Sequence, residues 1–169
     1  MDHDDIVVLA EQVVTLGVRW KKTLGLAESC TGGLLAGALT AVPGSSAVFL
    51  GGVVSYSNAV KTSLLGVPEE LLARHGAVSE ACARAMATGA RRMLAVDLAL
   101  AVTGIAGPEG GSPEKPLGTV WFALATSRNE LGWHRCFPGD RTSVRLQSVS
   151  FALARLLEAL AEEKGGEAP

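Results

Sequence analysis

A chain of 169 residues, 48% of them hydrophobic, is long enough for one domain with a sizeable core, and we expect that domain to span residues 1–169. A formal net charge of -2 leaves no basic field to hold a polyanion, which argues against nucleic acid as a partner. Cys30, Cys82 and Cys136 are too few and too scattered for a disulfide framework, Met1-Asp2-His3-Asp4-Asp5 is too acidic for a targeting peptide, and no apolar run nears the ~20 residues of a membrane helix. The expectation is a cytoplasmic protein with no membrane partner.

In chain order, Asp4 or Asp5 caps a first helix whose stripe is Ile6, Leu9, Val13, Leu16 and Trp20. Thr23 to Glu28 reads as a strand, and Gly32-Gly33 open a second helix that Pro43 cannot continue. Ala47 to Ser57 reads as a strand weakened or bulged by Gly51-Gly52. Asn58 is placed as the cap of a short helix carrying Lys61, and Pro68 at the first position of another, through Arg74. Ser79-Glu80 start a longer, alanine-rich helix with Met86, Ala90, Met93 and Leu94 on one face. Asp97 to Val102 and Thr119 to Ala125 read as buried strands, separated by a Gly- and Pro-rich loop from Thr103 to Pro116. Leu131 to Phe137 is more polar and belongs at a sheet edge. The last helix buries Leu146, Val149, Leu153, Leu156, Leu157 and Leu160, before a tail from Glu162 to Pro169 that frays.

Strands alternating with helices predict an α/β fold, a three-layer α/β/α sandwich over a mostly parallel or mixed sheet. Such sheets bind ligands at the carboxyl ends of their strands, so the loops after Glu28, Val102 and Phe137 are the ones of interest.

Several residues there read two ways. Ser45 and Ser46 are turn residues after Pro43-Gly44, or one is a nucleophile awaiting a base. His3, His75 and His134 are poorly placed as bases. Lys61 is either a solvated surface lysine or, if burial lowers its pKa, the base itself. Tyr56 packs, or relays a proton. Ser29, Thr31, Gly32 and Gly33 form either a plain helix cap or an anion-binding helix start. Thr103-Gly104 lead a glycine-rich loop that either lets amides approach a ligand or is merely flexible. Arg141 and Arg145 stand near a helix amino end, where cations oppose the dipole; a bound phosphate explains them, as does pairing with Asp140. Glu28 can orient a substrate amide or a lysine. No cysteine or histidine spacing suggests a metal site, and no cofactor is expected.

At these residues the chain resembles the CinA C-terminal domain family, the nicotinamide-nucleotide amidohydrolases. The matching stretches are Ala27-Glu28-Ser29-Cys30-Thr31-Gly32-Gly33, Val42-Pro43-Gly44-Ser45-Ser46, Tyr56-Ser57-Asn58 with Lys61, and Leu65-Gly66-Val67. Gly76-Ala77-Val78-Ser79-Glu80, Thr103-Gly104-Ile105-Ala106-Gly107-Pro108 and Lys115-Pro116-Leu117-Gly118-Thr119-Val120 continue the match in order. The resemblance implies deamidation of nicotinamide mononucleotide (NMN) to nicotinate mononucleotide and ammonia, in pyridine nucleotide salvage. It implies Ser46 as nucleophile, Lys61 as general base, Ser29, Tyr56 and Thr103 as supporting hydroxyls, and Arg141 as a substrate contact. It also implies a homo-oligomer, a dimer. Two features depart from the family: many relatives carry an amino-terminal pyrophosphatase domain that this sequence lacks, and Leu50-Gly51-Gly52 replaces a more polar stretch. Two rival readings remain at this stage: a non-catalytic nucleotide- or partner-binding module linked to competence, and a phosphate-ester hydrolase.

Overall fold

The computed structural model describes residues 3–162. The predicted tail beyond Glu162 lies outside the described residues. Five strands form one mixed sheet: β1 (Leu24–Glu28), β2 (Phe49–Val54), β3 (Leu98–Gly104), β4 (Thr119–Ala125) and β5 (Glu130–Cys136), in the order β2-β1-β3-β4-β5. β1 pairs in parallel with β2 and β3, whereas β3, β4 and β5 pair antiparallel. Among the described residues the helices are α1 (His3–Trp20), α2 (Leu34–Thr40), α3 (Asn58–Leu65), α4 (Glu69–His75), α5 (Glu80–Leu94) and α6 (Arg141–Glu162), with a 3-10 turn at Ser45–Ala47.

The central strands sort their side chains by size. Leu98, Leu100 and Val102 of β3, with Val120, Phe122 and Leu124 of β4, join the core that α1, α2 and α6 cover. Ala99, Ala101, Ala123 and Ala125 alternate with them and join the second core, beneath α3 and α5. A period of two thus gives one face of large side chains and one mostly of methyl groups, with Trp121 partly buried against it. The alanine face lets α5 lie close to the sheet. α5 answers with Ala83, Ala87 and Ala90 of its own. α3 approaches α5 more closely still: a Cβ added at Gly89 would sit 1.9 Å from the Leu65 carbonyl oxygen.

Most expected elements are present, with local differences. β1 starts one residue later than expected, and α2 starts at Leu34, after Gly32 and Gly33 have both turned with positive φ. The strand expected from Ala47 to Ser57 is shorter because the 3-10 turn takes up its first residues. Pro68 stands just before α4, at its cap. Met93 does not share the buried face of Met86 and Ala90 but is exposed, and Leu146 and Leu157 are only partly buried. The predicted bulge is real: the register slips between Leu24 and Gly25, which pair with Phe49 and Gly51, and leaves Leu50 as the extra residue.

Candidate active site

The carboxyl ends of β1, β2 and β3 lie side by side, and the chain leaving each one supplies a polar group. Ser29 follows β1, Ser55 and Tyr56 follow β2, and Thr103 ends β3. Ser29 is held by its amide, which donates to the Val102 carbonyl, and Ser55 by its amide, which donates to the Glu28 carbonyl. The sheet ladder therefore continues past the strand ends and fixes both serines.

α3 then brings in the lysine. Its cap is Ser57, whose Oγ accepts from the Val60 amide at 3.2 Å. Asn58, expected to do this, instead faces the groove. One turn on, Lys61 points inward and is only 1% exposed. Its Nζ lies 3.1 Å from Ser29 Oγ and donates to the Ser55 carbonyl at 2.7 Å. Among the described residues no carboxylate forms an ion pair with it. Burial therefore pushes the Lys61 pKa down, opposed weakly by the Cys82 and Cys30 thiols. An amine held toward its neutral form beside a single alcohol can take that alcohol's proton. Cys30, next to Ser29, is no rival nucleophile, because burial pushes its thiol pKa up to about 12.

The groove in front of this pair has a volume of about 240 Å³. Ser29, Tyr56, Lys61, Thr103, Gly104 and Arg141 all line it, together with Cys30, Asn58, Ala77, Val78 and Ala106. Thr103 Oγ1 donates to the Ala77 carbonyl at 2.8 Å, which leaves its lone pairs to accept. Arg141 does not pair with Asp140. It reaches across the groove mouth, donating to the Gly107 carbonyl at 2.7 Å and to Tyr56 Oη at 2.9 Å. Asp140 caps α6 instead, accepting from the Ser143 amide. Arg145 is a brace, donating to the Cys30 and Thr31 carbonyls.

Two expectations do not survive the geometry of one chain. Ser46 does not meet Lys61. It lies exposed on the 3-10 turn before β2, whereas Lys61 follows the far end of that strand. The six extended residues of β2 that run between them span about 20 Å. The serine in contact with the lysine is Ser29. Nor is the start of α2 free for a phosphate. The Glu28 carboxylate, 1% exposed, accepts from the Gly33, Leu35 and Ala36 amides at 3.0, 3.1 and 2.8 Å. The Gly32 amide donates to the Ser29 carbonyl. Thr31, Gly32 and Gly33 thus shape the turn from behind, and the Thr31 hydroxyl is buried without a partner. Glu28 touches no lysine; it neutralises a helix end.

Sequence reasoning missed the Ser55 carbonyl, Asn58 and Ala77. Asn58 was detectable, since Ser57 offers an equally good cap one residue earlier. The two backbone groups leave no trace in residue type.

The comparisons with known proteins agree with this architecture. The family model described as the CinA C-terminal domain matches residues 7–160. The nicotinamide-nucleotide amidohydrolase PncC of Shigella flexneri is 49% identical over 92% of this chain and 95% of its own. A CinA-like protein of Gemmatimonas aurantiaca is 51% identical over 86% of this chain, which spans only 34% of that longer protein. Among solved structures, a competence-damaged protein (CinA) superfamily protein from Klebsiella pneumoniae superposes with a TM-score of 0.90 at 42% identity, covering 93% of this chain and 98% of its own. The chain belongs to the CinA C-terminal domain family.

Proposed function

We propose that this protein hydrolyses the carboxamide of NMN, giving nicotinate mononucleotide and ammonia, through Ser29 and Lys61. The observation that carries the chemistry is the buried, unpaired Lys61 amine 3.1 Å from Ser29 Oγ. The substrate rests on the near full-length similarity to the amidohydrolase of Shigella flexneri.

In its neutral form Lys61 donates one N–H to the Ser55 carbonyl and turns its lone pair to Ser29. It takes the Ser29 proton as Oγ bonds to the carboxamide carbon. The negative oxygen of the tetrahedral intermediate is met by backbone amides of the turn after Ser29. The Lys61 ammonium then protonates the amide nitrogen, the C–N bond breaks, and ammonia leaves. Water enters, gives a proton to Lys61, and attacks the acyl carbon. The ester bond to Ser29 breaks, and the proton returns to Oγ. Thr103 and Asn58 orient the carboxamide and ribose. Arg141, at the mouth with Tyr56, is the cation for the nucleotide phosphate, in place of the α2 start that Glu28 fills. Product formation would serve pyridine nucleotide salvage.

The test is ammonia release from NMN, nicotinamide riboside and free nicotinamide. Release from the nucleotide, lost in Ser29→Ala, is expected. Binding of the nucleotide without product would favour a non-catalytic module, and release of inorganic phosphate a phosphatase.

A further inference from the structure

Arg145 is a cation without an anion. It stands one turn into α6 and is half-buried, and among the described residues no carboxylate pairs with it. Its guanidinium is spent on two consecutive carbonyls, Nε donating to Cys30 at 3.1 Å and Nη2 to Thr31 at 2.9 Å. Both carbonyls belong to the turn that leaves Ser29. A tie between α6 and a neighbouring loop needs no charge: Gln147 makes one to the Pro138 carbonyl with a neutral amide. The amides of the same turn can be sorted by what they already hold. Ser29 donates to the Val102 carbonyl, Gly32 to the Ser29 carbonyl and Gly33 to the Glu28 carboxylate. Thr31 does not line the groove. Cys30 does, and its amide has only its own sulfur, a weak acceptor.

We propose that the Cys30 amide meets the negative oxygen of the tetrahedral intermediate, and that Arg145 is the positioning residue that aims and polarises it. This role rests on Ser29 as the nucleophile of the proposed amidase. Three links join the cation to the donor. Arg145 Nη2 holds the Thr31 carbonyl, and the same peptide carries the Gly32 N–H. That N–H holds the Ser29 carbonyl at 3.1 Å, and the peptide of that carbonyl carries the Cys30 N–H. A donor on a carbonyl oxygen draws electrons from the nitrogen of the same planar unit, so its N–H becomes the stronger donor. Hydrogen bonds in series reinforce one another in this way. Arg145 Nε, on the Cys30 carbonyl, holds the following peptide against rotation. The charge thus reaches the developing oxyanion through the backbone, while the guanidinium itself touches no reacting atom.

The test compares Arg145→Lys with Arg145→Gln. Each keeps a donor for the turn, and only lysine keeps the charge. Ammonia release from NMN gives kcat and KM. Acylation of Ser29 by 4-nitrophenyl acetate gives a second rate: Oγ bonds to the acetyl carbon, Lys61 takes the proton, and 4-nitrophenolate leaves as the ester C–O bond breaks. Arg145→Gln is expected to lose about thirtyfold in kcat and Arg145→Lys less than about fivefold, with KM within about twofold of wild type in both. Acylation by the ester should fall in the same order. A purely structural tie would make the two variants equal in kcat, or put the loss on KM, and either result would overturn the role of Arg145. If one variant fails to fold, the split between kcat and KM in the other decides. If the wild type releases no ammonia from NMN but Ser29 is acylated by the ester, the substrate reading falls, and the acylation rates still decide this one. If Ser29 accepts no acyl group from either compound, the assignment falls with its nucleophile.

Discussion

Glu28, the last residue of β1, and Lys61, which reaches the same strand ends from α3, are both 1% exposed, yet they are treated in opposite ways. Three backbone amides at the start of α2 converge on the Glu28 carboxylate. The Lys61 amine receives one carbonyl and one hydroxyl, and no anion among the described residues. A buried charge survives only when its surroundings replace water. The first region supplies that replacement and spends the group on architecture. The second withholds it and leaves an amine that would rather be neutral. Adjacent burial alone therefore does not distinguish a structural ion from a reactive base; the number of compensating partners does.

The sharpest way to break the comparison is to remove the reactive pair. Ser29→Ala and Lys61→Met should each lower kcat by about a thousandfold or more, measured as ammonia release at saturating NMN. Normal turnover by either would show that the buried amine is not the base or that Ser29 is not its alcohol. The structural ion should respond oppositely. Glu28→Ala leaves three amides without an acceptor and should destabilise the fold by about 3 kcal/mol in urea unfolding. A change under about 0.5 kcal/mol would mean that water replaces the carboxylate.

The pH dependence separates the two groups further. The folded Lys61 pKa lies below the ordinary 10.5, so between those values the unfolded chain holds the proton that the folded chain has lost. Stability therefore rises with pH across that window. Lys61→Met removes a buried cation, so it should stabilise the protein relative to wild type at pH values below the folded pKa. That advantage should fade as pH approaches 10.5. Wild-type kcat/KM should also climb with pH as the neutral amine fills. A stability difference independent of pH would put Lys61 in solvent. The smallest effect belongs to the groove mouth: Tyr56→Phe removes the hydroxyl that accepts from Arg141. It should cost about tenfold in kcat/KM, mostly through KM.

The layers, the edge position of β5 and the loops that meet at the groove were legible in the sequence, because period-two and period-three-to-four patterns report burial directly. So was Lys61, a lone cation on an otherwise neutral helix. The partner of that lysine was not. Ser29 precedes a glycine turn and Ser46 follows one, and only the parallel pairing of β1 with β2 decides which one reaches the strand ends. The start of α2 looked like an anion site and is one; its anion, however, is the protein's own Glu28, five residues before Gly33 in sequence. Residue type shows that a cradle exists but not whether the chain has already filled it.

Gly89 carries a last consequence. With the Leu65 carbonyl pressed where its side chain would be, α3 lies closer to α5 than any residue but glycine at position 89 would allow. The seat of the lysine-bearing helix is thus fixed from α5, by a residue that does not line the groove. A single methyl group there would act as a wedge, tilting the lysine-bearing helix and loosening the reaction geometry while every reacting group stayed in place. Heat-sensitive loss of turnover is the phenotype such a remote wedge would produce.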